Sequence, residues 1–392
     1  MTTETRGAPT AGTRAGAPGS RLLALDGLRG VTIVLVVLGH LSAFLWPVEG
    51  IRSTPWLRGL VAGGAVPIFF VVSGYIVTAG LLREDERGTL DPVRFYARRL
   101  VRLGAQVVPL CAAVVLVAAL DPTDTAPAGS TVTTVTHTLT YTNNWLYALD
   151  PLQARPDLGH LWFLSVQQQW YLVLPLAVAA LAARRRVLTW VLVLLAVASA
   201  TYRLVEVSDA TWFGLSVGTF ARADGLLLGA ALAVALPALR RLAPRASVVG
   251  TLLLVAVPVL LSVGGELGPY AYLEDWSVAF VLVAAGLVAA VVLHERESGL
   301  TRALSARWLT WLGRASLVVY VWHYPVIFFV GRHVGPDASP VVTTAVVLSV
   351  VGVITVVSHR WVEEPVRRWL ATHLRPAPTD RPLPPAPGVG VA

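Results

Sequence analysis

Val31–Pro47 reads VTIVLVVLGHLSAFLWP, seventeen residues with one ionisable side chain, His40. In hydrocarbon a stretch of this kind folds as a helix, which satisfies its own backbone groups. Arg29 lies two residues before it. The eleven-residue separation is just over three turns, so Arg29 and His40 share one helix face, about 20° apart and about 16 Å apart along the axis. The spacing sets Arg29 at one membrane surface and His40 near mid-bilayer. Ionisable groups at that depth are costly and mark functional sites. The pair therefore points to chemistry inside a membrane, supplied from one side of it.

The rest of the chain extends this reading. Of 392 residues, 55% are hydrophobic and only 14% are charged. Mean hydropathy is +0.66. Soluble domains are nearer a quarter charged, so a soluble fold is excluded. All 31 basic residues are arginine, which reflects codon usage and not a nucleic-acid surface, because they sit in loops between apolar spans. Ten spans are predicted, roughly 31–47, 59–82, 103–120, 160–183, 187–205, 218–238, 248–263, 277–293, 309–330 and 341–358, each able to cross or nearly cross about 30 Å of hydrocarbon. With the N-terminus inside, 24 arginines fall on inside segments and four, Arg52, Arg58, Arg155 and Arg332, on outside ones. Positive charge accumulates in cytoplasmic loops. The expected fold is thus an all-α polytopic membrane bundle of about ten transmembrane helices, with both termini cytoplasmic.

Residues 1–20 are small and polar and read as a disordered cytoplasmic tail; 371–392 read as a Pro-rich cytoplasmic tail. The membrane domain is expected over 21–370, in a bacterial plasma membrane. No signal peptide, internal repeat or second soluble domain is evident, which leads to the expectation of a standalone protein. The longest outside segment, Asp121–Gly159, is Thr-rich and then aromatic, and reads as an interfacial helix or a re-entrant piece. The one cysteine, Cys111, leaves no intramolecular disulfide or cysteine metal cluster to build.

Several stretches, taken in order, carry a family resemblance. They are LDGLRGVTIVLVVLGH (25–40), PIFFVVSGYI (67–76), FYARRLVRL (95–103), HLWFLSVQQQWYLVLP (160–175), RADGLLLG (222–229), LGRASLVVYVWHYPV (312–326) and WVEEPVRRWL (361–370). Over roughly 21–370 the chain resembles the acyltransferase-3 family of integral membrane O-acyltransferases. The resemblance implies transfer of an acyl group, commonly acetyl, from a coenzyme A thioester to a hydroxyl. Implied acceptors are sugars of surface glycans, peptidoglycan, antibiotics or other glycosylated small molecules. One departure stands out: where the family often carries Val-Glu-x-Gln-Phe-Tyr, this chain has Val166-Gln167-Gln168-Gln169-Trp170-Tyr171. An amide at Gln167 excludes an acid or base role and leaves a positioning role.

Acyl transfer needs a base for the hydroxyl, stabilisation of an oxyanion and a clamp for a polyanionic donor. His40 is the expected base, since imidazole titrates near neutrality; its competing reading is a packing hydrogen bond to a neighbouring span. His323, with Tyr324 and Pro325, is the second candidate catalytic or relay histidine. Arg29 suits donor phosphates or the pantetheine end, or is an ordinary inside anchor, and Asp26 orients it or caps the helix. The run Arg94, Arg98, Arg99 and Arg102 fits coenzyme A phosphates and lipid headgroups equally, with Arg98 and Arg99 taken as donor contacts. Ser73 is expected either to hydrogen-bond an oxyanion or acyl group, or with Gly74 to let helices pack closely.

On the outer side, His160 and Trp162 are candidates to hold an acceptor sugar ring, against a membrane-belt role for the tryptophan. Gln167, Arg222 and Asp224 join them as acceptor-side candidates, the last two with a structural ion pair as the rival. One of Glu363 and Glu364 is expected to pair with an arginine of another inside loop. No metal, no nucleic acid and no partner besides acyl-CoA, a hydroxyl acceptor and membrane lipids are expected. The donor is expected from the cytoplasm, and the acceptor from outside in preference to the cytoplasm. The alternative class is a multi-span transporter or flippase-like permease, whose duplicated, interrupted halves are not visible here.

Overall fold

The computed structural model of the chain describes residues 18–374, apart from 48, 51–52, 62–63, 128, 209–210, 268–272, 294–297 and 335–337. The expected tails therefore lie outside the described residues up to 17 and from 375 onward. Ten long helices carry the fold: α1 (Pro18–Leu45), α2 (Val66–Glu86), α3 (Pro92–Leu120), α4 (Trp162–Leu181), α5 (Arg185–Glu206), α6 (Asp224–Leu239), α7 (Ala243–Leu267), α8 (Asp275–Leu293), α9 (Arg307–His333) and α10 (Pro340–Ser358). Each overlaps one of the ten predicted spans. No strand occurs among the described residues.

Eight helical stretches among those residues are long and apolar enough to cross a membrane. Two of them, Pro156–Glu206 and Asp224–Leu267, each hold two long helices joined by a one-turn 3₁₀ element. The chain is an all-helical, multi-pass membrane protein.

Local chemistry sets several boundaries. Asp91 caps α3 by accepting from the Arg94 N–H, with proline at the first turn, where a missing N–H costs nothing. Ser339 does the same for α10. The first helix begins earlier than the hydropathy suggests, at Pro18 instead of Val31. Its polar residues Asp26 and Arg29 find partners inside the bundle and so do not terminate it. At the other end, a π-helical turn over His359–Glu363 leads into a helix over Glu364–His373.

Glycines govern the two closest packings. A Cβ on Gly313 would sit 1.7 Å from the Asp26 carbonyl oxygen, and one on Gly30 2.3 Å from that of Leu309. Bare backbones thus let α1 and α9 touch, which sets Arg29 and His40 opposite Ser316 and His323. In the same way Gly74 on α2 meets the Leu226 carbonyl of α6, at 1.9 Å from a built Cβ.

Ion pairs tie helix ends that share one face. Arg98–Glu84 and Arg185–Glu86 are each 2.6 Å, on the face where arginine accumulates. On the opposite face Arg58 meets Glu266 at 2.5 Å, and Arg332 meets Asp124 at 3.3 Å. The Asp121–Gly159 segment on that face holds two short helices, Ser130–Leu139 and Asn143–Leu149. Its tip at Tyr141, in the left-handed region at φ 56°, accepts through its carbonyl from Gln169 Nε2 at 2.8 Å. Gln169 lies seven residues into α4, about 10 Å of helix rise, so the segment folds back alongside that helix as a hairpin.

Candidate active site

Two histidines from distant parts of the chain meet at the α1–α9 contact. His40 Nδ1 lies 2.9 Å from His323 Nε2. His323 is fully buried, and its Nδ1 lies 3.0 Å from the Val319 carbonyl oxygen and 2.8 Å from that of Tyr320. Carbonyl oxygens only accept, so Nδ1 of His323 carries the proton and its Nε2 offers a lone pair. That lone pair accepts from His40 Nδ1–H. The second nitrogen of His40, Nε2, is then unprotonated, the form a general base requires. His40 is only partly buried, and Tyr324 packs edge-on to its ring at 4.8 Å.

The structure gathers Arg29, Ser73, Arg99 and Gln167 around one central cavity of about 120 Å³, with Arg102, Tyr171, Ser316 and Tyr320. Arg29 donates to Ser316 Oγ at 2.8 Å and faces Asp26 at 3.6 Å. Arg99 donates to the side-chain oxygens of Gln167 and Gln168, each at 3.2 Å, and lies 4.2 Å over the Tyr171 ring. Gln167 donates in turn to Ser73 Oγ at 2.8 Å. Close packing here falls to Gly74, which leaves Ser73 for this polar wall. The end of the cavity away from its arginines is aromatic: Phe69, Phe163 and Tyr320, with Phe163–Phe69 at 6.1 Å and Phe163–Tyr320 at 5.6 Å between centroids. Behind Tyr320 lie His160 and His323, at 5.2 Å and 5.9 Å. His40 itself does not line the cavity.

Other candidates are placed elsewhere. Arg98 pairs with Glu84. Asp224 is committed to Arg203 at 2.7 Å and to the Gly225 N–H at 2.9 Å. Arg222 stacks on Trp162 at 5.6 Å. His160 donates to the Val321 carbonyl oxygen at 3.3 Å, and its ring stacks on Tyr324 at 4.7 Å, next to the histidine pair. Glu363 and Glu364 pair locally, with His359 at 3.0 Å and with Arg367 at 2.5 Å, not with another loop. Tyr171, Ser316 and Tyr320 had not been singled out. Ser316, Tyr320 and His323 fall at i, i+4 and i+7 on α9, one helical face, so a periodic signal was present.

A second cavity, of about 320 Å³, adjoins the first, sharing Arg29 and Arg102 with it and reaching Arg314, His359 and Arg367. On the opposite face Arg155, 1% exposed, binds Asp124 at 2.9 Å and Asp157 at 2.7 Å. Burial pushes the Asp124 carboxyl up, but hydrogen bonds from Arg155 and the Ala126 N–H, with the charges of Arg155 and Arg332, outweigh it and hold it below its ordinary 3.8. This network fastens the hairpin that folds back along α4.

The acyltransferase domain family Acyl_transf_3 matches residues 22–359, a stretch that contains all of these residues except those of the final helix and the turn before it. O-acetyltransferase OatA of Staphylococcus aureus is 25% identical over 361 residues, covering 88% of this chain and 57% of that protein. Peptidoglycan O-acetyltransferase OatA of Listeria monocytogenes is 26% identical over 365 residues, covering 88% of this chain and 55% of that protein. The chain thus spans little more than half the length of these relatives. No solved structure matches it. With the family's match running through all ten long helices and both histidines, the chain belongs to the acyltransferase-3 family of membrane acyltransferases.

Proposed function

We propose that the chain is a membrane O-acyltransferase that moves an acyl group, acetyl in the first instance, from acyl-CoA to a hydroxyl of a glycan or glycosylated small molecule. The observation that carries this reading is the His323–His40 hydrogen bond, which fixes the imidazole tautomer and leaves His40 Nε2 as a base. The names of the two relatives support acetyl as the group and a glycan as the acceptor. The arginine distribution supports cytoplasmic termini in a bacterial plasma membrane.

In this reading the donor enters from the arginine-rich face and its thioester lies in the central cavity, held by Arg29 and by the Arg99–Gln167–Ser73 wall. Its carbonyl passes the Phe69–Phe163–Tyr320 end to meet an acceptor hydroxyl at His40, arriving from the outer side past His160 and Trp162. His40 Nε2 takes the hydroxyl proton as the oxygen attacks the carbonyl carbon. Collapse of the tetrahedral intermediate breaks the C–S bond, and the departing thiolate recovers that proton. His323 acts through His40 as a positioning residue. The permease alternative shares the ten helices, but no observation of the site favours it.

The test is thioester consumption by purified protein in lipid nanodiscs. His40→Ala is expected to lower turnover by about 10²–10⁴, the usual contribution of a general base, in a protein that still elutes as a folded species. His323→Leu should be impaired and His323→Gln less so, because the amide oxygen can accept from His40 Nδ1. Near wild-type turnover in His40→Ala would remove the assignment, and no thioester consumption by the wild type would remove the function.

A further inference from the structure

The 320 Å³ cavity lies between α3, α9, the π-helical turn and the Glu364–His373 helix. Its size falls among small-molecule pockets, about 300–1,000 Å³. Four arginines reach it: Arg29, Arg102, Arg314 and Arg367. Its carboxylates are already engaged. Asp26 faces Arg29, Glu363 binds His359, and Glu364 binds Arg367 at 2.5 Å and Arg368 at 3.1 Å. Arg314 donates Nε to the Thr310 carbonyl oxygen at 3.2 Å. Among the described residues neither Arg102 nor Arg314 has a carboxylate within ion-pair distance. A concave site with two such guanidinium groups at its wall is matched by phosphate oxygens, which the planar fork binds bidentately.

Two features make this more than a basic surface. The cavity shares Arg29 and Arg102 with the central cavity, so the two adjoin along one line. Its far wall is built by the turn His359–Glu363 and the helix after it. Single π-helical turns are frequent at functional sites. This wall lies almost wholly beyond the segment 22–359 that the family matches.

We propose that this cavity takes the phosphorylated nucleotide end of the donor, with Arg102 and Arg314 on its phosphates and the Glu364–His373 helix as its outer wall. The inference rests on the acyl-CoA reading above and extends it to residues outside the matched segment. The thioester end then lies in the central cavity, and the shared Arg29 and Arg102 mark the passage between the two.

The experiment uses the full chain in nanodiscs of zwitterionic lipid. Equilibrium binding of adenosine 3′,5′-bisphosphate is measured for wild type, Arg314→Ala, Arg314→Lys and Arg367→Ala. In parallel, KM and kcat are measured with acetyl-CoA and with acetyl-pantetheine, which lacks the nucleotide. Arg314→Ala should weaken probe binding about tenfold or more, the scale of a lost charged hydrogen bond. It should raise KM for acetyl-CoA to match, leave KM for acetyl-pantetheine unmoved, and be partly rescued in Arg314→Lys. Equal changes on both donors, or wild type that does not bind the nucleotide, would overturn the inference. A wild type that binds nucleotide but transfers from neither thioester would instead overturn the acyltransferase reading and leave the nucleotide site standing.

Discussion

Arginine serves two regions of this molecule in opposite ways. On the arginine-poor face Arg155 and Arg203 are 1% and 0% exposed, and their donors are taken up. Arg203 binds Asp224, the Leu273 carbonyl oxygen at 3.0 Å and the Ala221 carbonyl oxygen at 2.5 Å. Arg155 holds two carboxylates and a threonine hydroxyl. On the arginine-rich face Arg29, Arg99 and Arg102 line a cavity, and the partners of Arg29 and Arg99 are amides, a hydroxyl or a carboxylate 3.6 Å away. A buried guanidinium with all its charge compensated locks helices together. One facing a cavity with weak partners retains capacity for an anion. Partner identity, not residue type, separates structure from site.

The contrast is sharpest at Arg203. Arg203→Leu strands the Asp224 carboxylate in the bundle and should destabilise the protein by about 3–5 kcal/mol, with no selective change in donor KM. Replacing both residues with leucine should recover much of that loss. Thermal unfolding in detergent checks it, and an Arg203→Leu protein as stable as wild type would erase the distinction between the two regions.

Arg29→Ala should behave in the reverse sense. Losing a hydrogen bond to a charged group, about 1.5–3 kcal/mol, should raise donor KM about 10- to 100-fold while unfolding moves little. Arg29→Lys should rescue only in part, since an ammonium lacks the bidentate fork. Direct binding of donor with equal affinity to wild type and Arg29→Ala would place this arginine with Arg203.

Gln167 probes the wall itself. Gln167→Glu keeps an oxygen for Arg99 and can accept from Ser73, whose hydroxyl turns to donate. Its turnover should stay within about tenfold of wild type, less than one charged hydrogen bond. Complete inactivity of the folded variant would show that the amide donor to Ser73 is indispensable.

The smallest effect concerns the Arg155–Asp124 network. The folded pKa of Asp124 lies below its unfolded value of 3.8, so its stabilisation is present above pH 3.8 and is lost as pH falls through the lower folded value. The stability difference between wild type and Asp124→Asn should therefore hold at neutral pH and close below about pH 4. A difference that persists in acid would mean that Asp124 acts through packing and not through its charge.

Much of the bundle was legible because hydrophobic runs and arginine loops are local signals: each of α1 to α10 overlaps a predicted span. The start of α1 was not, because Asp26 and Arg29 look like loop residues until Ser316 and the α9 backbone are placed beside them. Arg29 and His40 were visible as a pair on one face. The partner of His40 is 283 residues away, and no periodicity within α1 reports it. Asp224 illustrates the reverse case: a buried charge reads equally as ligand or clamp until Arg203 appears.

By itself the sequence determined the all-helical membrane architecture, the two-sided distribution of charge, the family resemblance and the placing of Arg29 and His40 on one helix face, since lipid admits few backbone solutions and motifs are contiguous. Tertiary structure alone decided which imidazole nitrogen of His40 is free, that Ser73 faces a cavity while Gly74 packs, and which arginines are spent. Each of those depends on a hydrogen-bond partner or a backbone contact supplied by another helix, and such contacts have no signature in the order of residues along one.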